Sequence, residues 1–519
     1  MNISRRSFLF GGTASIIGAG AVLSGCNHKI GDKQTGNTDS IKVAVVDYFD
    51  KFEYAGTTNP TIAAIGWHIF EGLYDISPRT NETYPALAKG KPQKIDDLTY
   101  EVELRDNAKF SNDAVLMAGD VVYSFSAAKQ KPTINYMLDF IKEVQASGSN
   151  KIRFILNYAV DGVFEERLSL VKIQPAVGSD VDKQKAPVGT GPYMITEMEG
   201  SIGGEIKFAP NTNYNGNLEK PKNSMIWTIN PDGEARAGAM KGGAAAIAED
   251  MPVDKVFELR DSNVDVDFIE GFENAFFFFN EAKSVFKNKV ARQAVFYAID
   301  TQRIIDEKMG GHAQPAKCFL AESNKNYHQA STVYSYNPDK AKELMAKSGL
   351  TNPSVNLVFD KNCFAYKFKD IVVENLEAVG FTCNIKETEF RWTDLDEKLK
   401  GLEYDLCLST IERSLHGANA DFLLNYIYIQ GAYMHDRTGY ASAEGNRFEE
   451  ITNLTKQAAS TTGNEQQKLY NQVFDIIAED VPMYPIIHRE QITGSDSGKV
   501  RGFQPISTGG IYVIGAELN

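Results

Sequence analysis

Between residues 355 and 411 apolar strand-like segments alternate with helical ones: 355–359, 365–379, 381–387, 392–400 and 404–411. Each helix in such an alternation carries the chain back across a sheet, so neighbouring strands run parallel and the helices cover them. The fold class is therefore α/β. At 519 residues the chain exceeds the roughly 250–300 residues at which a single core stops growing, and two or three domains are expected. Other elements follow from local pattern. Ile41–Val46 reads as a strand, 61–70 as a helix, and Leu98–Leu104 as a half-buried alternating strand. A helix over Ala118–Ala128 presents Val121, Val122 and Phe125 on one face, and Lys151–Asn157 is a further strand. Four consecutive phenylalanines, Phe276–Phe279, mark a strand buried on both faces. A helix over 287–299 follows, then one capped by Asp300 and ended at Gly310-Gly311. Asn337-Pro338 opens a helix that stops at Gly349. Helices near 446–459 and 464–479 and strand-like pieces at 483–488 and 511–515 close the chain.

The N-terminus speaks of location. Residues 1–26 combine a charged start, a Gly/Ala-rich apolar middle and a small-residue end, the make-up of an export signal. Arg5-Arg6 followed by Ser7-Phe8-Leu9 resembles a twin-arginine signal. Leu23-Ser24-Gly25-Cys26 resembles a bacterial lipobox, in which Cys26 becomes a diacylated mature N-terminus. Residues 27–40 are polar and read as a flexible tether. The expected location is extracytoplasmic, in the periplasm or on the outer face of the cytoplasmic membrane, with a lipid anchor.

Bulk properties exclude several functions. A formal net charge of −14 argues against nucleic acid as a partner. Cys318, Cys363, Cys383 and Cys407 fit no zinc spacing, and the seven histidines form neither HxxxH nor HExxH. Their pattern suits buried thiols, although an exported protein could pair them. No GxSxG nucleophile turn occurs. No cofactor or metal is expected.

Several stretches, taken in order, resemble the family 5 solute-binding proteins of ABC importers. They are Ile69–Tyr74, Tyr84–Ala88, Leu104-Arg105 with Lys109–Ser111, Asp120–Ser124, Pro187–Tyr193, Asn211–Tyr214, Phe279-Asn280, Arg292–Asp300 and Val481-Pro482 with Pro485. The resemblance spans about residues 41–515. It implies a two-lobed periplasmic-binding-protein fold, with the ligand enclosed between lobes and an ABC permease as partner to a monomer. Lobe I would comprise 41–60, 187–278 and 491–519, with an extra subdomain at 61–186, and lobe II would comprise 279–490. The Gly189-Thr190-Gly191-Pro192 turn reads as scaffold, and Arg292 as a structural ion pair or a surface charge and not a ligand contact.

In peptide-binding members the strand matching Tyr404–Leu406 leads to a tryptophan, then to an aspartate that pairs with the peptide ammonium. Here Ile411 stands at the tryptophan position and Ser414 nearest to the aspartate. Glu412 is the candidate replacement acid and Arg413 a candidate carboxylate partner. His416, Asp421, Tyr48, Phe49 and Tyr54 complete the candidate ligand-binding set, while Trp392 reads as core. The expected ligand is a peptide or peptide-like solute. A metal complex, a sugar or another small solute is the alternative import cargo; ligand sensing and extracytoplasmic hydrolysis are the competing roles.

Overall fold

A computed structural model of the chain describes residues 40–519, apart from 179–184, 362, 389–391, 413 and 430–432. Arg5, Arg6, Cys26 and Arg413 therefore lie outside the described residues.

Two long antiparallel strands, Asp265–Phe279 and Met483–Ser495, form the centre of one eleven-stranded sheet. On one flank stand Leu406–Ile411, Ser354–Phe359 and Thr382–Glu387, the last two pairs in parallel. The predicted alternation over 355–411 accordingly forms parallel pairs. On the other flank lie Ile247-Ala248, Ile41–Val45, Met225–Ile229, Glu205–Pro210 and Tyr193–Met198. The long pair serves both flanks. Asp265–Glu270 pairs with Glu490–Ser495, Asn274–Phe278 pairs with Met483–His488, and the register shifts between Glu270 and Asn274. The two halves so joined correspond to a two-lobed architecture.

Each half has its own core. Phe276–Phe279 are at most 2% exposed. Phe277 and Phe279 pack on Phe296 and Phe286, while Phe276 meets Phe319 on the opposite face. Their continuous apolar run thus reflects burial from both sides. The other half packs Val43, Val45, Ile65, Trp227 and Ile247 together. Residues 511–515, expected as a strand, are irregular backbone instead. Ile511, Tyr512, Val513 and Ile514 are buried in that core, and Val513 N donates to His68 Nε2. An apolar run reads alike whether it is a strand or a buried irregular plug.

A separate four-stranded sheet, Gln93–Asp96, Thr99–Glu103, Lys151–Leu156 and Ile141–Ala146, packs against helix Ala118–Ala128 around a third core. Helix Phe164–Leu168 beside it is tied to helix Ala420–Tyr428 by a buried bidentate ion pair: Arg167 Nε and Nη2 donate to Asp421 at 2.8 and 2.9 Å.

Local signals hold at several termini. Asn337 accepts from Lys340 N, Pro338 occupies the first helical turn, and Gly349 has φ +73°. At Gly189 a β-carbon would stand 1.9 Å from the Ile69 carbonyl oxygen, so only glycine fits. Arg292 ion-pairs with Glu281 at 3.1 Å and donates to the Asp480 carbonyl, a structural role. The four described cysteines are free thiols. Removing one partner of a buried ion pair costs about 3–5 kcal/mol. Arg167→Met should therefore lower the urea midpoint markedly, while the double variant Arg167→Met/Asp421→Leu recovers most of the loss.

Candidate functional site

A cavity of about 450 Å³ opens between the two flanks of the large sheet. Its size suits a small-molecule site, which typically measures about 300–1,000 Å³. Its walls come from the C-terminal ends of parallel strands, where open α/β sheets form their crevices. Asp47 follows strand Ile41–Val45, Glu249 and Asp250 follow Ile247-Ala248, Asp360 follows Ser354–Phe359, and Glu412 follows Leu406–Ile411. Glu273 sits where the long strands change register, facing Arg489 and Gln491 on the partner strand. A second cavity of about 520 Å³ lies between Phe52–Ala55, helix Ala118–Ala128 and Leu170–Gln174. Among the described residues it exposes no unpartnered buried polar atom.

The cleft concentrates negative charge. Arg489 Nη2 donates to Asp250 Oδ1 at 2.8 Å and to Gln491 Oε1 at 3.1 Å, and stands 3.3 Å from Glu273 Oε2. Its guanidinium also lies over the Phe364 ring, 4.6 Å from the centroid. Arg236 spends its donors on the carbonyls of Asn230, Pro231, Glu249 and Asp250. Burial works against ionised Asp250, but Arg489 and Arg236 outweigh it and hold the carboxyl below its ordinary range.

The other acids are less well served. Burial, then Glu273 and Asp250, push Asp47 up to about 7. Burial and neighbouring Asp47 raise Glu249 to about 8. Glu249 Oε1 accepts from Val46 N at 2.7 Å, and its Oε2 is buried without a partner among the described residues. Glu412 Oε1 accepts from Ser414 N at 2.6 Å and from Ser414 Oγ at 2.5 Å, while Oε2 accepts from Gly509 N at 3.1 Å. Burial nevertheless lifts Glu412 to about 7, with Glu273 adding to the effect. Arg489 Nε and Gln491 Nε2 are buried donors without partners among the described residues.

Of the candidates chosen from sequence, Glu412 lines this cleft. His416 lies behind it, bonded through Nε2 to the Thr57 carbonyl and edge-on to Tyr54. Tyr54 is buried under Phe70 and borders the second cavity. Asp421 is spent on Arg167. Tyr48 is 52% exposed, and Phe49 packs on Phe52 with its N–H on the Gly200 carbonyl. None of these five lines the cleft; from the loop after the first strand it is Asp47, Thr58 and Asn59 that do. Sequence reasoning missed Asp47, Glu249, Asp250, Glu273, Arg489 and Gln491. The available signal was a carboxylate placed directly after an apolar strand, as in Val45-Val46-Asp47 and Ile247-Ala248-Glu249. Among the described residues no group of three or more His, Cys, Asp and Glu is placed to hold a metal ion.

The sequence profile of the bacterial extracellular solute-binding proteins, family 5 Middle, matches residues 82–431. The chain belongs to this family. Di/tripeptide-binding protein 1 of Pseudomonas aeruginosa (strain UCBPP-PA14) is 25% identical over 485 residues, covering 85% of this chain and 86% of that protein. Among solved structures, the dipeptide binding protein from Pseudoalteromonas sp. SM9913 in complex with Met-Leu superposes with TM-score 0.78 at 18% identity, covering 93% of this chain and 100% of that one. NikA from Staphylococcus aureus in complex with Ni(L-His)2 gives TM-score 0.75 at 21% identity over 92% and 100%. As a family 5 solute-binding protein, the chain is an extracytoplasmic binding component that works with an ABC permease, and it is not an enzyme. No helix of the described residues is long and apolar enough to cross a membrane.

The raised carboxyls make stability fall with pH. An acid that titrates higher folded than unfolded holds an extra proton in the native state. Its contribution is complete below about pH 4 and is lost as pH rises through about 7 for Asp47 and Glu412 and about 8 for Glu249. The ligand-free protein should therefore melt at a lower temperature at pH 8.5 than at pH 5.5. Glu249→Gln should flatten that slope in differential scanning calorimetry.

Proposed function

We propose that this family 5 protein is the lipid-anchored capture subunit of an ABC importer for a peptide or peptide-like solute, acting as a monomer. The observation that carries this reading is the link between Ser414 and Glu412. Where peptide-binding relatives of the resembled family place an acid, this chain has a serine. That serine gives both its N–H and its hydroxyl to Glu412 Oε1. Glu412 is thereby held in the cleft as a replacement acid. A ligand ammonium would meet Glu412, and ligand carbonyl or carboxylate oxygens would meet Arg489 Nε and Gln491 Nε2, the buried donors without partners among the described residues. The ammonium supplies the countercharge that the half-buried carboxylate lacks, and the two donors gain acceptors.

Capture would proceed by closure of the halves about the register shift near residues 270–274, a hinge motion of the usual kind for two-lobed binders. Arg413, the next residue in the sequence, is of a type whose forked donors suit a ligand carboxylate.

Losing one partner of a buried, hydrogen-bonded charge pair costs about 2–5 kcal/mol. Glu412→Gln should therefore weaken a free-amine dipeptide by more than about tenfold in calorimetry, and N-acetylation of the dipeptide should weaken binding to the parent to a similar degree. Equal binding of the acetylated and free peptides would remove Glu412 from the role. For the anchor, Cys26→Ala should move the mature protein from the membrane to the soluble fraction. Unchanged membrane association would end the lipoprotein reading. Replacing Arg5 and Arg6 with lysine in the same assay reports whether export follows the twin-arginine route.

A further inference from the structure

The cleft walls hold more carboxyl groups than one ammonium would pair with. Six carboxylates line it, those of Asp47, Glu249, Asp250, Glu273, Asp360 and Glu412, against one arginine, Arg489, among the described lining residues. Arg489 serves Asp250 and Glu273, and Asp360 accepts from Ser409 Oγ at 2.9 Å. Among the described residues no lysine, arginine or histidine forms an ion pair with Asp47, Glu249 or Glu412. These three acids form two separate carboxyl centres on opposite flanks of the long strand pair. Asp47 and Glu249 follow strands of one flank and act on each other electrostatically, whereas Glu412 follows a strand of the other. The first centre carries an independent mark of a ligand site. Glu249 is only 5% exposed, lines the cleft, and holds Oε2 without a partner among the described residues.

Building on the peptide-binding reading of the same cleft, we infer that the preferred ligand carries a second cationic group, an ammonium or guanidinium, received by Asp47 and Glu249 while its first ammonium pairs with Glu412. A peptide with a lysine or arginine side chain has this form. The charged groups facing the second centre are Glu273, Asp250 and Arg236. Arg236 is tied to backbone carbonyls and to Asp250 and brings no hydrogen bond to Glu249 Oε2. An arriving cation stabilises the ionised carboxylates, so binding near neutral pH releases protons to the buffer.

The test uses the mature protein and four probes: Ala-Lys, Ala-Leu, Ala-Glu and 1,5-diaminopentane. Isothermal calorimetry at pH 7 is run in phosphate and in Tris, whose ionisation enthalpies differ. Ala-Lys should bind about tenfold or more tightly than Ala-Leu, Ala-Glu most weakly, and proton release should be larger for Ala-Lys than for Ala-Leu. In Glu249→Gln and Asp47→Asn the preference for Ala-Lys over Ala-Leu should shrink to about twofold or less. Glu249→Gln retains an oxygen for Val46 N, and its melting curve reports whether it is folded. Equal or tighter binding of Ala-Leu by the parent overturns the second-cation inference and leaves the peptide reading intact. Binding of diaminopentane but of no dipeptide upholds the second cation and overturns the peptide reading. A preference for Ala-Lys that survives both substitutions, or failure of all four probes to bind, overturns the inference.

Discussion

The architecture depends on one pair of antiparallel strands shared by two halves. Asp265–Phe279 and Met483–Ser495 are hydrogen-bonded over nearly their whole lengths, yet the ladder loses register between Glu270 and Asn274. A continuous ladder would fuse the halves into one stiff twisted sheet. A broken one leaves each half its own core and places the irregularity in the wall of the crevice. The same discontinuity explains the site's chemistry. Glu273 lies inside it, and Arg489 and Gln491 face the cleft from the opposing strand. Polar side chains tolerate these positions because the strands border the crevice there, not a core.

The crevice is energetically expensive when considered by itself. Burying ionised carboxylates near one another is unfavourable unless cations or donors meet them. The protein meets part of this cost through Arg489 and Arg236, and part by letting Asp47, Glu249 and Glu412 keep protons near neutrality. A site whose internal pairing is incomplete can gain free energy from a cationic ligand. A fully paired site of the same shape would have little left to gain. The contrast with Arg167 and Asp421 is instructive. That pair is saturated by two direct hydrogen bonds and by Asn425, and it joins parts of the molecule without serving the cleft.

Local pattern made most elements legible. The parallel alternation over 355–411, the phenylalanine strand, the Asn337-Pro338 helix start and the glycine at 189 each express a short-range rule, and each stands in the structure. Residues 511–515 misled because apolar content alone does not separate a strand from a buried plug. The site was harder to see. Glu412 stood out because it adjoins the resembled segment, but its neighbours in space come from remote positions. The Arg489–Asp250 bond spans 239 residues and the Arg167–Asp421 pair 254. No periodicity encodes such meetings. His416 and Asp421, close to Glu412 in sequence, turn inward to Thr57 and Arg167 because a short helical turn and then helix Ala420–Tyr428 rotate them off the cleft wall.

The most direct measurement is a crystal structure of the mature protein bound to Ala-Lys. The account predicts the α-ammonium within about 2.7–2.9 Å of a Glu412 carboxylate oxygen, the side-chain ammonium between Asp47 and Glu249, and a ligand oxygen on Arg489 Nε or Gln491 Nε2. A peptide bound with its carboxylate towards Glu412, or outside the cleft altogether, would contradict it.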